Sequence, residues 1–215
     1  MASNDTVLVL GATGGVGGEM ARQLRDAGWR VRAMKRGAVP ERRDGIDWVG
    51  GDAMDARDVR EAARGCAVIV HAVNPPGYRR WSELVLPMLD HTIAAAKAEG
   101  ATIVLPGNVY NYGADAFPLL AEDAPQHPAT RKGAIRVEME RRLELASREG
   151  ARVLIVRAGD FFGPKKSPAR TISTRTPLRL AASRRCSSST RMAPLRVTGC
   201  CGASSPIGPE NASGP

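Results

Sequence analysis

Residues 7–24 read VLVLGATGGVGGEMARQL. Four consecutive apolar residues, typical of a buried strand, run directly into Gly11, Gly14 and Gly17, and a helical pattern follows at once. A strand, a glycine-rich turn and a helix in this order begin a β-α-β unit whose turn presents backbone N–H groups at the helix N-terminus. The stretch therefore predicts an α/β fold with a phosphate-binding loop after its first strand.

The same alternation continues through the first 160 residues. Short apolar runs predict strands at residues 6–10, 29–34, 46–51, 67–73, 101–106 and 151–158. Amphipathic stretches, each closed by a glycine, predict helices at 17–28, 55–65, 82–100 and 133–150. Strands that alternate with helices form a parallel sheet that is covered on both faces. We expect one such domain over residues 1–164.

The remaining segment, residues 165–215, has a different composition. Residues 1–160 carry 22 Lys/Arg against 21 Asp/Glu, whereas residues 161–215 carry nine Lys/Arg against one Glu and contain no aromatic residue after Phe162. Such a segment buries too little apolar surface to offset its ordering entropy, which predicts a disordered tail. We favour a second interpretation, an out-of-frame translation of a GC-rich gene, which yields Arg, Ser, Pro and Ala without periodicity.

Composition also weighs against several classes of protein. No apolar run is long enough to cross a bilayer, and the N-terminus lacks the basic region of a secretory signal, so we expect a cytoplasmic protein without membrane contact. The adjacent Cys200 and Cys201 do not have zinc-site spacing, and the three His residues are isolated, so we expect no metal. A basic tail without aromatic residues to stack bases makes nucleic-acid binding the weaker alternative.

The Gly-x-x-Gly-x-x-Gly spacing, with GATGG at the first turn, resembles the short-chain dehydrogenase/reductase superfamily, in particular its extended and atypical branches of the NAD-dependent epimerase/dehydratase type. The stretches GDAMDARDVREAARGCAVIVHAV (51–73), LPGNVYNYG (105–113) and IVRAGDFFGP (155–164) extend the resemblance over residues 5–164. The resemblance implies a Rossmann-like doubly wound sheet that binds NAD or NADP.

Candidate cofactor contacts follow from the loop and from this resemblance. The loop residues that would surround the pyrophosphate are Gly11, Thr13, Gly14, Gly15, Val16 and Gly17. By resemblance, Asp52 reaches the adenine amino group with Ala53 beside it, and Ala72 and Val73 line the far side of the cofactor. Asp55 is expected to cap the following helix instead.

The end of the second strand bears on which dinucleotide binds. NAD sites usually carry an acid there, which hydrogen-bonds the ribose 2′-hydroxyl. Here Lys35 stands in its place, followed by Arg36. Two cations would pair with a 2′-phosphate, so the sequence favours NADP over NAD. The alternative is that both are exposed loop cations.

The catalytic positions depart from the family pattern. The family's Tyr-x-x-x-Lys motif falls on Lys132 and Arg136, and Asn108 falls where a Ser or Thr usually stands. Arg keeps its proton at neutral pH, and Lys132 would need its pKa lowered to act as an acid or base. Tyr110 and Tyr112 lie close enough in sequence to replace the lost tyrosine. The alternative is a solvated helix face with an Arg136–Glu140 pair.

These features predict an NADP-preferring oxidoreductase or epimerase homologue with a degenerate catalytic site and no substrate domain, because family members build that domain after the sixth strand. The sequence does not identify its small-molecule substrate. The main alternative is a non-enzymatic dinucleotide sensor or regulator. Loss of a substrate domain would expose apolar surface and favour self-association, for example as a homodimer. The stretch NPPGYRRW (74–81) is expected to be a surface loop, with Tyr78, Arg79 and Trp81 as substrate contacts in the alternative.

Overall fold

The computed structural model describes residues 5–37, 40–75, 80–116, 120–121 and 123–159. The predicted tail, including its cysteines, lies outside these residues. Tyr78 and Arg79 also lie outside them. Seven strands form one sheet: β1 (Thr6–Leu10), β2 (Arg30–Lys35), β3 (Glu41–Arg43), β4 (Ile46–Gly50), β5 (Val68–His71), β6 (Thr102–Asn108) and β7 (Arg152–Ala158).

Four α-helices connect the strands: α1 (Gly15–Asp26), α2 (Ala56–Ala63), α3 (Trp81–Glu99) and α4 (Arg131–Arg148). The chain leaves all four through a glycine in the left-handed region, with φ of 90° at Gly28, 66° at Gly65, 62° at Gly100 and 95° at Gly150. These are the glycines that closed the predicted helices, and they end the helices because only glycine adopts this conformation without strain.

The strand order is β3-β4-β2-β1-β5-β6-β7, and every neighbouring pair except β3–β4 is parallel. The predicted Rossmann-like doubly wound sheet is thereby confirmed. The chain moves from β1 to one side of the sheet for β2 and to the other side for β5. The carboxyl ends of β1 and β5 therefore form the switch point at which ligands bind in such sheets.

Strand β3 is the one strand of the described sheet that was not predicted from the sequence. It pairs with β4 in an antiparallel hairpin, and all three of its residues are exposed, so it carries no apolar alternation. Its turn residues Asp44 and Gly45 both have positive φ, 54° and 75°. An Asp-Gly dipeptide between two strands is the usual signal for such a two-residue turn, so this dipeptide could have predicted the hairpin from the sequence.

Two apolar clusters lie on the two faces of the sheet. Helices α2, α3 and α4 cover one face, around Leu8, Ile69 and Ile103. Helix α1 covers the other face around Val9 and Val31. On this second face, no described helix lies over β7, whose Leu154 and Val156 are 41% and 42% exposed. No helix in the described ranges has both the length and the apolar character needed to span a membrane.

Candidate functional site

The glycine loop passes close to the strand beside it. Gly11, directly after β1, has a φ of 85°. A Cβ atom on Gly11 would lie 2.5 Å from the carbonyl oxygen of Ala72, which follows β5. Any side chain would therefore push the loop off the switch point. Ala72 completes the junction by donating its N–H to the carbonyl oxygen of Leu10 at 3.0 Å.

Helix α1 begins against the same loop. A Cβ on Gly17 would lie 2.3 Å from the carbonyl oxygen of Gly11, so the helix packs on the loop at a distance that only glycine allows. At Gly15, by contrast, a Cβ would meet nothing within 4 Å. The loop thus has one crowded side, which fixes the helix, and one open side, which is free to receive a ligand.

The N-terminus of α1 has no side-chain cap, and its first turn carries no acid. Helices α2 and α4 are capped by Asp55 and Thr130, whose side chains accept backbone N–H groups. Uncapped N–H groups and the positive end of the helix dipole together favour a bound anion. The geometry of Thr13, Gly14, Gly15 and Val16 therefore fits the pyrophosphate contacts predicted for them.

The two predicted 2′-phosphate residues lie at the end of β2. Lys35 pairs with Gly50 across β2 and β4, and both Lys35 and Arg36 are exposed. The carbonyl of Lys35 accepts the N–H of Gly51 at 3.3 Å, which holds the two strand ends together. The cations are thus placed at the carboxyl edge of the sheet, two strands away from β5.

Asp52 lies in a network of local hydrogen bonds. Its Oδ1 accepts the N–H of Met54 at 3.0 Å, and its own N–H donates to Asp58 Oδ2 at 2.9 Å. Asp55 caps α2 as expected, because it accepts the N–H groups of Arg57 and Asp58. The carboxylate of Asp52 keeps a second oxygen for a ligand, while Asp55 is structural.

The neighbouring Ala53 is buried and is fixed from α3. Its carbonyl oxygen lies 3.0 Å from Nδ1 of His91, which therefore donates the proton in this bond. Ala72 and Val73, on the opposite wall, are half-buried and pack against different core clusters. The role of His91 was not visible in the sequence, because the two partners are 38 residues apart.

Asn108, Tyr110, Lys132 and Arg136, here called the α4 cluster, lie where β6 ends and α4 begins. Asn108 is buried, and its Oδ1 accepts the N–H of Tyr110 at 3.0 Å. This bond caps a short 3₁₀ helix, Val109–Asn111. The side-chain oxygen of Asn108 already accepts this bond, so Asn108 can bind a ligand by donating its amide N–H groups. The Tyr110 side chain is half exposed.

The start of α4 packs directly on this short helix. A Cβ on Gly133 would lie 2.2 Å from the carbonyl oxygen of Tyr110, so glycine is required at the contact. Lys132 precedes this contact in the first turn of α4. Lys132 is exposed and lacks the burial that an acid–base role calls for. Arg131 and Lys132 also occupy the first turn of α4 without an accompanying acid, against the preference of the helix dipole.

Arg136, one turn further on, is half-buried and lies against an aromatic ring. Its Cζ is 5.3 Å from the centroid of the Trp81 ring, and its Nη1 is 3.9 Å from the sulfur of Met139. Trp81 was expected in a surface loop. That expectation is wrong, because Trp81 is the first residue of α3 and is only 5% exposed.

Two further polar groups behind the α4 cluster were not predicted. Glu140 is buried and binds Arg157 at 2.8 Å and Gln126 at 2.8 Å, and Gln126 accepts from Asn111. His71, at the end of β5, bonds Thr92 through Nδ1 at 2.8 Å. Burial and then the charge of Arg136 lower the pKa of His71 to about 3.

A family model described as NAD(P)H-binding matches residues 11–185. The chain belongs to this NAD(P)H-binding family. The match begins at the first glycine of the loop and includes every candidate site residue named above. A nicotinamide dinucleotide is therefore the cofactor, in agreement with the open side of the loop and the uncapped start of α1.

Curated proteins are similar to this chain over about three quarters of its length. The uncharacterised protein y4nL of Sinorhizobium fredii is 27% identical over 189 residues, which is 77% of this chain and 53% of that protein. The chain spans about half the length of the curated relatives it matches.

Solved structures share the fold. The enzyme WbmH of Bordetella bronchiseptica, in complex with NAD⁺, has a TM-score of 0.63 and 21% identity over 75% of this chain and 58% of that one. Uronate dehydrogenase from Agrobacterium tumefaciens has a TM-score of 0.59 and 23% identity over 68% and 57%. Other structures with this fold are sugar-nucleotide 4-epimerases. Together with the NAD(P)H-binding family match over residues 11–185, this confirms the resemblance to the short-chain dehydrogenase/reductase superfamily.

Proposed function

We propose that the chain is an NADP-preferring oxidoreductase or epimerase homologue with an intact cofactor cradle and altered catalytic positions. The observation that carries this proposal is the contrast between the two ends of the site. The loop and the start of α1 have the close contacts and the open side that a pyrophosphate needs. The α4 cluster presents Lys132 and Arg136 where the family pattern has Tyr and Lys.

Each end of the site has a defined task in this proposal. The N–H groups at the start of α1 bind the pyrophosphate, and Lys35 with Arg36 binds the 2′-phosphate. Arg136 holds the nicotinamide ribose with its fixed fork of donors, and the amide of Asn108 donates to a substrate oxygen. The cofactor, when bound, would supply the hydride chemistry of the family.

A complete substrate domain is not part of the proposal. Family members build that domain after the sixth parallel strand, which corresponds to β7. The segment that follows β7 here is rich in Arg, Ser and Pro and has no aromatic residue after Phe162, the composition expected of an out-of-frame product. We therefore expect this chain to bind the cofactor but to turn over little substrate.

Cofactor preference tests the proposal. NADPH should bind more tightly than NADH by about 1–3 kcal/mol, the range of hydrogen bonds to a charged group. Arg36→Ala should reduce that difference, because the guanidinium contacts the 2′-phosphate and nothing in NADH replaces it. Titration calorimetry with both cofactors measures the effect.

Arg60→Ala is the matched control, since Arg60 is an exposed cation in the last turn of α2. It should leave both affinities unchanged. Equal affinity of the wild type for NADPH and NADH would refute the role given to Lys35 and Arg36.

A dinucleotide sensor without turnover is the second candidate, and the exposure of Lys132 favours it. NADPH oxidation with a panel of carbonyl and nucleotide-sugar substrates separates the two. A sensor binds NADPH and oxidises none of it. If the wild type reduced a substrate, and Lys132→Ala abolished this while NADPH affinity stayed intact, Lys132 would be a working acid–base group.

A further inference from the structure

The indole of Trp81 lies at the junction of three elements behind the α4 cluster. It begins α3, it packs in the core beneath the carboxyl edge of the sheet, and its ring faces the guanidinium of Arg136 on α4 at 5.3 Å. A guanidinium within about 6 Å of an indole centroid is attracted by the negative face of the ring, and the attraction increases as water is excluded. Trp81 is 5% exposed, so one side of Arg136 is shielded.

The indole is itself held in one orientation. Its Nε1 donates to Asn74 Oδ1 at 2.7 Å, and Asn74 follows β5 by three residues. Core packing and this bond together hold the ring opposite Arg136. The buried start of α3 and the turn after β5 thus hold the Trp81 ring in place against the guanidinium.

His71, the last residue of β5, is buried and carries no charge. The hydroxyl of Thr92 donates to the carbonyl oxygen of Met88 at 3.0 Å, so it accepts from His71 Nδ1, and the imidazole is neutral with its proton on Nδ1. The charge of Arg136 also lowers the pKa of His71, so a neutral imidazole at this position adds no repulsion to the guanidinium.

We infer that Trp81 is a positioning residue that holds Arg136 in place for the cofactor. The inference rests on the proposed function, in which Arg136 binds the nicotinamide ribose. A long side chain that is already oriented loses less conformational freedom when it binds, so the ring increases affinity without touching the cofactor. Nothing in the Tyr-x-x-x-Lys pattern predicts such a partner, because the family lysine has no planar guanidinium to stack.

The test is NADPH binding by calorimetry to the wild type, Trp81→Leu, Arg136→Ala and the double variant. Trp81→Leu should weaken binding by about tenfold, within the range of a partly desolvated cation–π pair. The double variant should bind no more weakly than Arg136→Ala, because the ring acts only through the guanidinium. Trp48→Leu is the matched control, since Trp48 contacts Arg43 in the same way at 5.5 Å, far from the α4 cluster, and it should bind NADPH as the wild type does.

The outcomes separate the inference from the proposed function. If Arg136→Ala weakens binding and a folded Trp81→Leu does not, Trp81 has no positioning role and the proposed function stands. If Arg136→Ala binds NADPH as the wild type does, the cofactor role of Arg136 is wrong, and the inference is wrong with it.

Two further measurements cover the case in which Trp81→Leu does not fold. Trp81→Phe keeps a ring against Arg136, and its NADPH affinity should stay within about threefold of the wild type. In the wild type, NMR should show ring-current-shifted resonances of the Arg136 side chain, identified by their loss in Arg136→Ala. Arg136 resonances at ordinary positions, or a folded Trp81→Phe with the full loss seen in Arg136→Ala, would overturn the inference.

Discussion

His71 shows how much a single side chain contributes when its environment fixes its protonation state. Thr92 holds the Nδ1 proton, and burial with the nearby charge of Arg136 lowers the pKa of His71 to about 3. In the unfolded chain the pKa returns to about 6.5. Between these two values the unfolded state binds one more proton than the folded state, so the stability of the fold falls as the pH falls below 6.5.

His71 therefore gives a prediction about the pH dependence of stability. Between pH 7.5 and 5.5 the wild type should lose about 1.4 kcal/mol more of its unfolding free energy than His71→Asn, in which the amide can still donate to Thr92 but does not titrate. Urea unfolding at the two pH values measures the difference. Glu138, whose pKa is lowered to about 2 by its bonds to Arg141 and Arg142, affects stability only below this window. Equal losses in both proteins would contradict the neutral state of His71.

Helix α4 is fixed to the sheet by one buried ion pair. Glu140 is 6% exposed and forms an ion pair with Arg157 of β7. The pair joins the helix to the last strand of the described sheet. The same helix also carries an exposed pair, Glu144 with Arg148, at 2.6 Å. The buried pair has more than one Arg N–H contact and joins two elements, whereas the exposed pair is a single contact within the helix, so the two differ in burial and in geometry.

The buried pair should contribute far more to stability than the exposed one. Glu140→Gln leaves the Arg157 charge facing a neutral amide, and we expect a loss of about 2–4 kcal/mol, reduced from the fully buried case because Arg157 keeps some solvent contact. Glu144→Gln should change stability by less than about 0.5 kcal/mol. Urea denaturation of both variants provides the measurement. Losses of similar size would show that the Glu140–Arg157 pair is not stabilising.

Gly133 sets where α4 begins relative to β6. Gly133→Ala would place a methyl group against the Tyr110 carbonyl, and we expect a loss of about 1–3 kcal/mol as the helix moves away. Gly15→Ala is the comparison, because its Cβ meets no protein atom. It should be at least as stable as the wild type and yet bind NADPH more weakly, since the methyl group would fill the open side of the loop. Thermal unfolding with and without NADPH measures both effects.

The sequence predicted the elements whose signal is local. Apolar runs and closing glycines located six strands and four helices, because burial and chain reversal leave a trace in neighbouring residues. Strand β3 was missed, since an exposed edge strand shows no alternation. Glu140 with Arg157, His91 with Ala53 and Trp81 with Arg136 were missed for another reason: each pair joins residues that only the fold brings together.

At the scale of the whole molecule, the part of the chain that the structure describes leaves an apolar face beside β7 without a covering helix. Leu154 and Val156 point to the face that α1 covers elsewhere, and β7 is also the last strand of the sheet. A surface of this kind favours self-association. The tail, with its low apolar content, is predicted to be unable to cover it.

Limited proteolysis and light scattering test this prediction together. Protease should remove residues 165–215 first, because a segment without buried contacts is accessible to cleavage, and leave a fragment that retains NADPH binding. The fragment should associate at micromolar concentration. Leu154→Lys should reduce the association while leaving NADPH affinity unchanged. A monodisperse monomer whose tail resists protease would contradict the prediction.

The gene offers an independent test of the tail. If residues after about position 163 are out of frame, one of the other two reading frames should encode a periodic continuation with aromatic residues. Such a continuation would supply the substrate domain of the longer relatives. Two other frames without any periodic continuation would refute the out-of-frame interpretation.

The contact between Gly17 and Gly11 restricts how the gene can vary. Every base change in a glycine codon that alters the residue introduces at least a Cβ atom, and at position 17 that atom would lie 2.3 Å from a carbonyl oxygen. Alanine is the smallest residue that can replace glycine, so no substitution at this codon avoids the contact. Gly28 differs, because its constraint is a left-handed backbone with φ of 90° and not a close contact, and the space around it is open, so Asn is the least strained substitute there. Among homologous genes, codon 17 should stay fixed while codon 28 drifts.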